Sequence, residues 1–181
     1  MSLRFGQQLT SRCLRPLVLL VGLRHAVPVP TTLRLRHESE YVHNSSSTAA
    51  NVTFTSCPEK TLGQVNYMEI SPCERSSPSD PCTFRHGMNY TVSLGFVSER
   101  NSSNPRSSVV ARDGNDSYAY SGQSFTACRY TPCPIIEEEP STYTYQFHTL
   151  ASPFDHLTFN VTDDFEGPSL FCAGADINFE L

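Results

Sequence analysis

The chain has 181 residues and a formal net charge of −5, a length typical of one domain with extensions. The charge is unevenly placed: residues 1–50 hold six Arg and two acidic residues, whereas residues 51–181 hold seven basic and sixteen acidic residues. This acidic portion argues against nucleic-acid binding, since phosphate contacts need clustered Lys and Arg. The basic start of the chain is only a weak signal for nucleic-acid binding, because targeting segments are commonly basic too.

Cysteine content and glycosylation signals indicate an oxidising compartment. Six of the seven cysteines lie in the acidic portion, an even number that suits three disulfides. Sequons for N-linked glycosylation begin at Asn44, Asn51, Asn89, Asn101, Asn115 and Asn160. Together they favour a secreted protein, or one of the endolysosomal lumen, over a cytosolic zinc protein. Because the sequence has neither Cys-x2-Cys nor His-x3-His spacing, we expect no metal site.

The first fifty residues have the pattern of a leader followed by a tether. Three arginines precede an apolar run, residues 16–23, which has the length of a signal-peptide core and is too short to cross a membrane. We therefore predict a signal peptide over residues 1–26. Residues 27–50 are rich in Pro and Ser and have no periodicity, which predicts a disordered tether. The domain is expected over residues 51–181.

From residue 51 onward the sequence predicts short β-strands. Short runs of this kind predict strands over residues 52–57, 65–70, 108–111, 143–147, 157–161 and 171–179. The clearest strand alternates polar residues with Met88, Tyr90, Val92, Leu94 and Phe96. That alternation predicts one buried and one exposed face. Asp113-Gly114 is a hairpin-turn signal. About eight strands with no long helical period predict an all-β sandwich of two sheets.

The cysteines stand at both ends of this domain and around two loops. A bridge between Cys57, in the first strand, and Cys172, in the last, would join two edge strands and stabilise the fold by about 4–5 kcal/mol. A bridge between the cysteines on either side of residues 74–81 would hold that loop in place. Cys128 and Cys133 are close enough in sequence to close a very small ring.

The segment 118–136 is rich in aromatic residues although its pattern is irregular. Tyr118, Tyr120, Phe125 and Tyr130 surround its two cysteines. A loop of this apolar content indicates that it covers a core or a ligand. We predict that the segment forms one lip of a lipid-sized cavity. The alternative is that the aromatic residues of the domain fill the core of the sandwich.

Motifs for catalysis are missing from the sequence. It contains no Gly-x-Ser-x-Gly elbow, no Gly-rich phosphate loop and no His-Glu-x-x-His. Cys172 is expected to be bridged rather than nucleophilic, and the acidic run 137–139 is expected to be a solvated loop. We therefore expect no enzyme activity, no catalytic residue and no cofactor.

The six cysteines and their neighbours occur in a characteristic order. That order is Cys57, Ser71-Pro-Cys73, Pro81-Cys82, Cys128-x4-Cys133-Pro-Ile135, Tyr143-x-Tyr145 and Ser169-Leu-Phe-Cys172. It resembles the ML lipid-recognition domain family, which includes the soluble Niemann–Pick type C sterol carrier and the group 2 mite allergens. The resemblance covers residues 51–181. It implies an immunoglobulin-like sandwich, a lipid cavity between its sheets, and the bridges Cys57–Cys172, Cys73–Cys82 and Cys128–Cys133.

The same resemblance implies a set of lipid-binding residues. The cavity walls would come from Tyr90, Val92, Leu94, Phe96, Ile135, Tyr143, Tyr145 and Phe171. Tyr120 and Tyr130 would lie near the entrance. The polar hairpin 111–117 stands where the mammalian sterol carrier has a Pro-rich apolar run, so the sequence departs from the family at this point.

Two functional hypotheses follow. In the first, a secreted or endolysosomal protein holds a sterol, fatty acid or related lipid between its sheets and passes it to a membrane or a receptor. In the second, a secreted glycoprotein with a packed core acts as an interaction module for a receptor or an immune partner and carries no lipid. In both we expect a monomer that binds no nucleic acid, glycosylated at Asn51, Asn89, Asn101, Asn115 and Asn160.

Overall fold

Ten β-strands build residues 48–180, the part of the chain that the computed structural model describes. They are β1 (Ala50–Asn51), β2 (Thr55–Ser56), β3 (Gly63–Ser71), β4 (Cys82–Arg85), β5 (Asn89–Ser98), β6 (Arg106–Asp113), β7 (Asp116–Ala119), β8 (Pro140–His148), β9 (His156–Thr162) and β10 (Ser169–Glu180). A short 3-10 turn covers Ala127–Arg129. No helix in this part of the chain is long and apolar enough to cross a membrane. The predicted signal peptide and most of the predicted tether lie outside the described residues.

The first sheet has the strand order β1-β3-β5-β8, and all of its neighbouring strands are antiparallel. Its strand β5 follows the predicted alternation, because Tyr90, Val92, Leu94 and Phe96 are each at most 4% exposed. Met88 was expected to belong to this buried set, and this prediction is wrong. The residue precedes the strand and is 47% exposed. The inner face of β5 is therefore apolar from Tyr90 to Phe96.

The second sheet has the order β2-β10-β9-β6-β7, and the short strand β4 pairs in parallel with the end of β10. In β9 the predicted alternation holds, since Leu157, Phe159 and Val161 are at most 1% exposed. The predicted hairpin turn joins β6 to β7. Gly114 has a φ of +58° there, in the left-handed region that glycine adopts without steric cost.

The first predicted strand is divided between the two sheets. Strand β1 pairs with β3 in the first sheet, and β2 pairs with β10 in the second. Val52 and Phe54 lie between these two strands and pack partly buried against the core. The strand count is ten rather than about eight, because β1 and β2 are separate and β4 is too short to show an alternating pattern.

The three disulfides pair as the resemblance implies: Cys57–Cys172, Cys73–Cys82 and Cys128–Cys133. Cys57 directly follows β2, and its N–H donates to the Cys172 carbonyl oxygen at 3.1 Å. The expectation that this bridge joins two edge strands is wrong for β10, which lies between β2 and β9. The bridge therefore holds the outermost strand, only two residues long, onto an inner strand.

Disulfide removal should destabilise the domain according to the length of chain that each bridge closes. Replacing Cys57 and Cys172 together by Ala should lower the free energy of unfolding by about 5 kcal/mol, because the bridge spans 115 residues. The matched control, Ala at Cys73 and Cys82, removes a bridge that spans 9 residues and should cost about 2.5 kcal/mol. Urea unfolding of the two double variants measures both losses. Equal losses would contradict an origin in chain entropy.

Candidate functional site

The residues predicted to bind lipid come from four parts of the fold and meet between the sheets. Strand β5 contributes four of them, β8 contributes Tyr143 and Tyr145, and β10 contributes Phe171. The remaining three, Tyr120, Tyr130 and Ile135, come from the segment 118–136. Nine of the ten side chains are buried and Tyr130 is partly buried. Their role as lipid contacts stays a prediction.

Aromatic rings pack against one another through this interior. The ring of Tyr143 lies 5.3 Å from that of Tyr130 and 5.7 Å from that of Phe171. Phe171 in turn lies 4.6 Å from Phe96. Because Tyr143 and Phe96 belong to the first sheet and Phe171 to the second, these ring contacts join the two sheets.

The predicted set of lipid-binding residues omits four rings of the same interior: Phe84, Phe147, Phe154 and Phe159. Phe84 stacks on Tyr90 at 4.0 Å, and Phe147 and Phe154 meet the ring of Tyr120 at 5.1 and 5.9 Å. Phe147 and Phe159 share the alternation of predicted strands, so that signal could have included them. Phe84 and Phe154 lie in a short strand and a loop, where no periodicity reveals burial.

The segment 118–136, which contains the Cys128–Cys133 bridge, connects the two sheets along one side of the sandwich. Near its start it runs beside β6, where the Ser107 N–H donates to the Phe125 carbonyl oxygen at 3.1 Å. Farther along, the N–H of Thr144 in β8 donates to the Tyr130 carbonyl oxygen at 2.7 Å. The Tyr130 hydroxyl also accepts a hydrogen bond from the Ser124 N–H at 2.6 Å. The segment is thus fixed to a strand of each sheet.

A pocket of about 300 Å³ opens where this segment meets β8. The rings of Tyr120, Tyr130, Tyr145 and Phe147 line it, and Leu150, 47% exposed, stands at its rim. Polar groups of residues 121–122, 146 and 148 complete the lining. The two tyrosines expected near an entrance, Tyr120 and Tyr130, therefore line the same surface pocket.

Polar atoms inside the sandwich are neutral phenols and hydroxyls. The Tyr143 hydroxyl and the buried Ser107 hydroxyl share a hydrogen bond of 2.7 Å between the sheets. The Tyr120 hydroxyl donates to the His148 carbonyl oxygen at 3.0 Å. Burial raises the pKa of Tyr120 to about 12 and also raises the pKa values of Tyr143 and Tyr145. These three phenols are consequently uncharged near neutral pH, which suits an apolar ligand.

The expected surface features lie outside this interior. Residues 137–139 are exposed, as predicted for a solvated acidic loop. Among the sequon asparagines of residues 48–180, four are exposed and Asn160 is partly buried. Within the same residues, no group of three His, Cys, Asp or Glu side chains is arranged to hold a metal ion. Glycosylation at each sequon stays a prediction.

These features define a class of protein: an all-β, disulfide-bonded sandwich of two sheets with an aromatic interior. A family model described as the ML domain matches residues 51–179. The chain belongs to the ML domain family, a family of lipid-binding domains.

Among solved structures, the chain is similar to a Niemann-Pick type C2 protein from the Japanese carpenter ant. The TM-score is 0.59 at 13% sequence identity, and the match covers 71% of this chain and 99% of that chain. A likeness at this identity shows the fold alone. No curated protein gives a significant match.

The hydrogen bond between Tyr143 and Ser107 should stabilise the domain as a pair. Tyr143→Phe or Ser107→Ala alone leaves one buried hydroxyl without its partner and should cost about 1–3 kcal/mol. The double variant leaves no hydroxyl of the pair, so its loss should be smaller than the sum of the two. Chemical denaturation of all four proteins measures the coupling. Strictly additive losses would show that the two hydroxyls do not interact.

The buried tyrosines should make the domain lose stability at alkaline pH. The Tyr120 pKa is raised, so above about pH 10 the unfolded chain releases this proton while the folded chain keeps it. Stability should therefore fall as pH rises from about 10 through about 12. The Tyr120→Phe variant should be less stable at every pH because it lacks the hydrogen bond of the Tyr120 hydroxyl. Its stability should, however, decrease less between pH 8 and pH 11 than that of the unmodified protein. Urea midpoints at pH 8, 10 and 11 compare the two proteins, and parallel curves would count against a buried phenol at position 120.

Proposed function

We propose that the protein holds one lipid, a sterol, fatty acid or related molecule, between its two sheets and passes it on without covalent chemistry. The observation that carries the proposal is the pocket at which Tyr120, Tyr130, Tyr145 and Phe147 come to the surface. Two of these rings contact buried rings behind the pocket: Tyr130 lies 5.3 Å from Tyr143, and Tyr145 lies 6.0 Å from Phe159. An apolar tail that enters there would follow the rings into the interior.

The architecture supports a ligand between the sheets because backbone hydrogen bonds run within each sheet. The contact between the sheets includes ring faces and edges, as between Tyr145 and Phe159 at 6.0 Å. Rings can move apart without breaking a strand ladder, and lipid carbons would replace the ring contacts. Each Å² of apolar surface buried contributes about 25 cal/mol, so a sterol or acyl chain needs no charged partner for useful affinity.

The rim of the pocket offers polar atoms for a lipid head group. Gln146 and His148 line it beside Ser121. A hydroxyl or carboxylate at the end of an apolar ligand would remain near these groups and water, while the tail occupies the interior. Leu150 at the rim would be the first apolar side chain met by a membrane or a receptor that delivers or accepts the lipid.

The proposed location is the extracellular space or the endolysosomal lumen. Three disulfides within residues 48–180 support it, since such bridges persist in oxidising compartments. The apolar run at residues 16–23 and the sequons support the same pathway. The protein would work there as a monomer.

The alternative function, a glycoprotein interaction module without lipid, is favoured by one specific observation. The interior rings contact one another closely, as between Phe84 and Tyr90 at 4.0 Å and between Phe96 and Phe171 at 4.6 Å. A core that keeps this packing would place function on the outer surface. The two functions therefore differ in whether the rings separate to admit a ligand.

Lipid extraction distinguishes the two functions. The full chain is secreted from a eukaryotic host, purified without detergent, extracted with organic solvent and examined by mass spectrometry. The proposal expects stoichiometric lipid, and uptake of a fluorescent sterol or fatty acid by the delipidated protein. Absence of both, in a protein that retains its disulfides and cooperative unfolding, would exclude lipid carriage and favour the interaction module.

A charge at the pocket rim should weaken lipid uptake. Leu150→Asp places a carboxylate beside Tyr120 and Tyr145, where it disfavours an apolar ligand, and should raise the apparent Kd by about tenfold, or about 1.4 kcal/mol. Met88→Asp is the matched control, because Met88 is also 47% exposed and does not line the pocket. Titration with the fluorescent ligand measures both variants. Equal effects of the two substitutions on the Kd would show that this pocket is not the entrance for the lipid.

A further inference from the structure

Two exposed phenylalanines flank a groove on the second sheet, away from the pocket described above. Phe165, in the loop between β9 and β10, is 80% exposed, and Phe125 is 53% exposed. They line a pocket of about 270 Å³ together with Asn160, Arg106 and Thr162. Large apolar side chains that face a common groove indicate a surface that another group covers.

Backbone hydrogen bonds fix the two segments that carry these phenylalanines. In the loop that carries Phe165, the Asp163 N–H donates to the Pro168 carbonyl oxygen at 3.0 Å. The carbonyl oxygen of Phe125 accepts the Ser107 N–H on the edge of β6. Because both segments are tied to the sandwich, the groove between the rings is a defined feature of the fold.

The asparagine of a glycosylation sequon lies in this groove. Asn160-Val-Thr162 is a sequon on strand β9, opposite Ser108 of β6. The Asn160 Oδ1 accepts a hydrogen bond from the Ser169 hydroxyl at 2.7 Å. This bond engages the amide oxygen, whereas a glycan is attached to the amide nitrogen, Nδ2. The residue can therefore keep its contact with the protein and carry a sugar.

We propose that Asn160 carries an N-linked glycan whose first sugar packs in the groove between Phe125 and Phe165. One face of a pyranose ring presents C–H groups, which pack on aromatic rings and remove apolar surface from water. The sugar hydroxyls remain at the open side of the groove, where Arg106 and Thr162 supply polar partners. The inference rests on the proposed secretory location, because N-glycosylation belongs to that pathway.

Site occupancy is the first test. The full chain is secreted from animal cells, deglycosylated enzymatically in heavy-oxygen water and mapped by peptide mass spectrometry. A labelled aspartate at position 160 is the expected result. If other sequons are labelled and position 160 is not, the glycan site is overturned while the secretory location stands. If no sequon is labelled, both fail.

Thermal stability tests the contact with the rings. Removing the glycan by Asn160→Gln should lower Tm by about 2–4 °C. Asn160→Gln also removes the hydrogen bond from the Ser169 hydroxyl, and this loss is the same in a Phe165→Ser background. In that background the fall in Tm should be about half as large or less, because the ring that the sugar covers is gone. Asn115→Gln is the matched control, since Asn115 is exposed on the β6–β7 turn, and it should leave Tm unchanged. Equal falls in both backgrounds would overturn the packing.

Sedimentation tests the main competing occupant, a second copy of this chain. The glycosylated protein should sediment as a monomer at all concentrations tested. A dimer that dissociates on Phe125→Ser or Phe165→Ser substitution would show that another copy covers the groove, and would overturn the proposal.

Discussion

Burial of aromatic rings between the two sheets is the interaction on which the rest of the structure depends. The hydrogen bonds between neighbouring strands run within each sheet, while rings such as Tyr143, Phe159 and Phe171 make contact across the interior. These contacts have little directionality, so the sheets are held together by apolar surface and shape. The hydrogen bond from Tyr143 to Ser107 adds a polar link between the sheets.

The disulfides support the parts of the chain that this interior holds least well. Cys57–Cys172 secures a strand of two residues, and Cys73–Cys82 closes an irregular loop. Cys128–Cys133 constrains the segment that is hydrogen-bonded to both β6 and β8. The perimeter of the sandwich is thus fixed by covalent bonds and backbone hydrogen bonds. In the proposed function, the interior rings would separate to admit a lipid while this perimeter keeps the two sheets in place.

The two sheets have different relations to solvent, and this divides the proposed roles between them. The pocket beside β8 leads to buried rings and suits an apolar ligand, whereas the groove over β9 presents exposed rings next to a sequon. The apolar surface of the pocket beside β8 faces the interior, whereas that of the groove over β9 faces solvent. A glycan over the outward rings would leave the pocket beside β8 as the apolar opening available to lipid or membrane.

Alternating polarity was enough to predict β5, β8 and β9 and their buried residues from sequence, because side chains of a strand point to opposite faces at a period of two. The cysteine order was enough to place the chain in its family and to pair its disulfides. Sequence could not show that the first strand is divided between sheets, that Met88 is exposed, or that Phe84 and Phe154 join the core. Those features depend on contacts between residues far apart in the chain, which only the tertiary structure brings together. For the same reason, the groove that unites Phe125, Asn160 and Phe165 exists only in the folded domain.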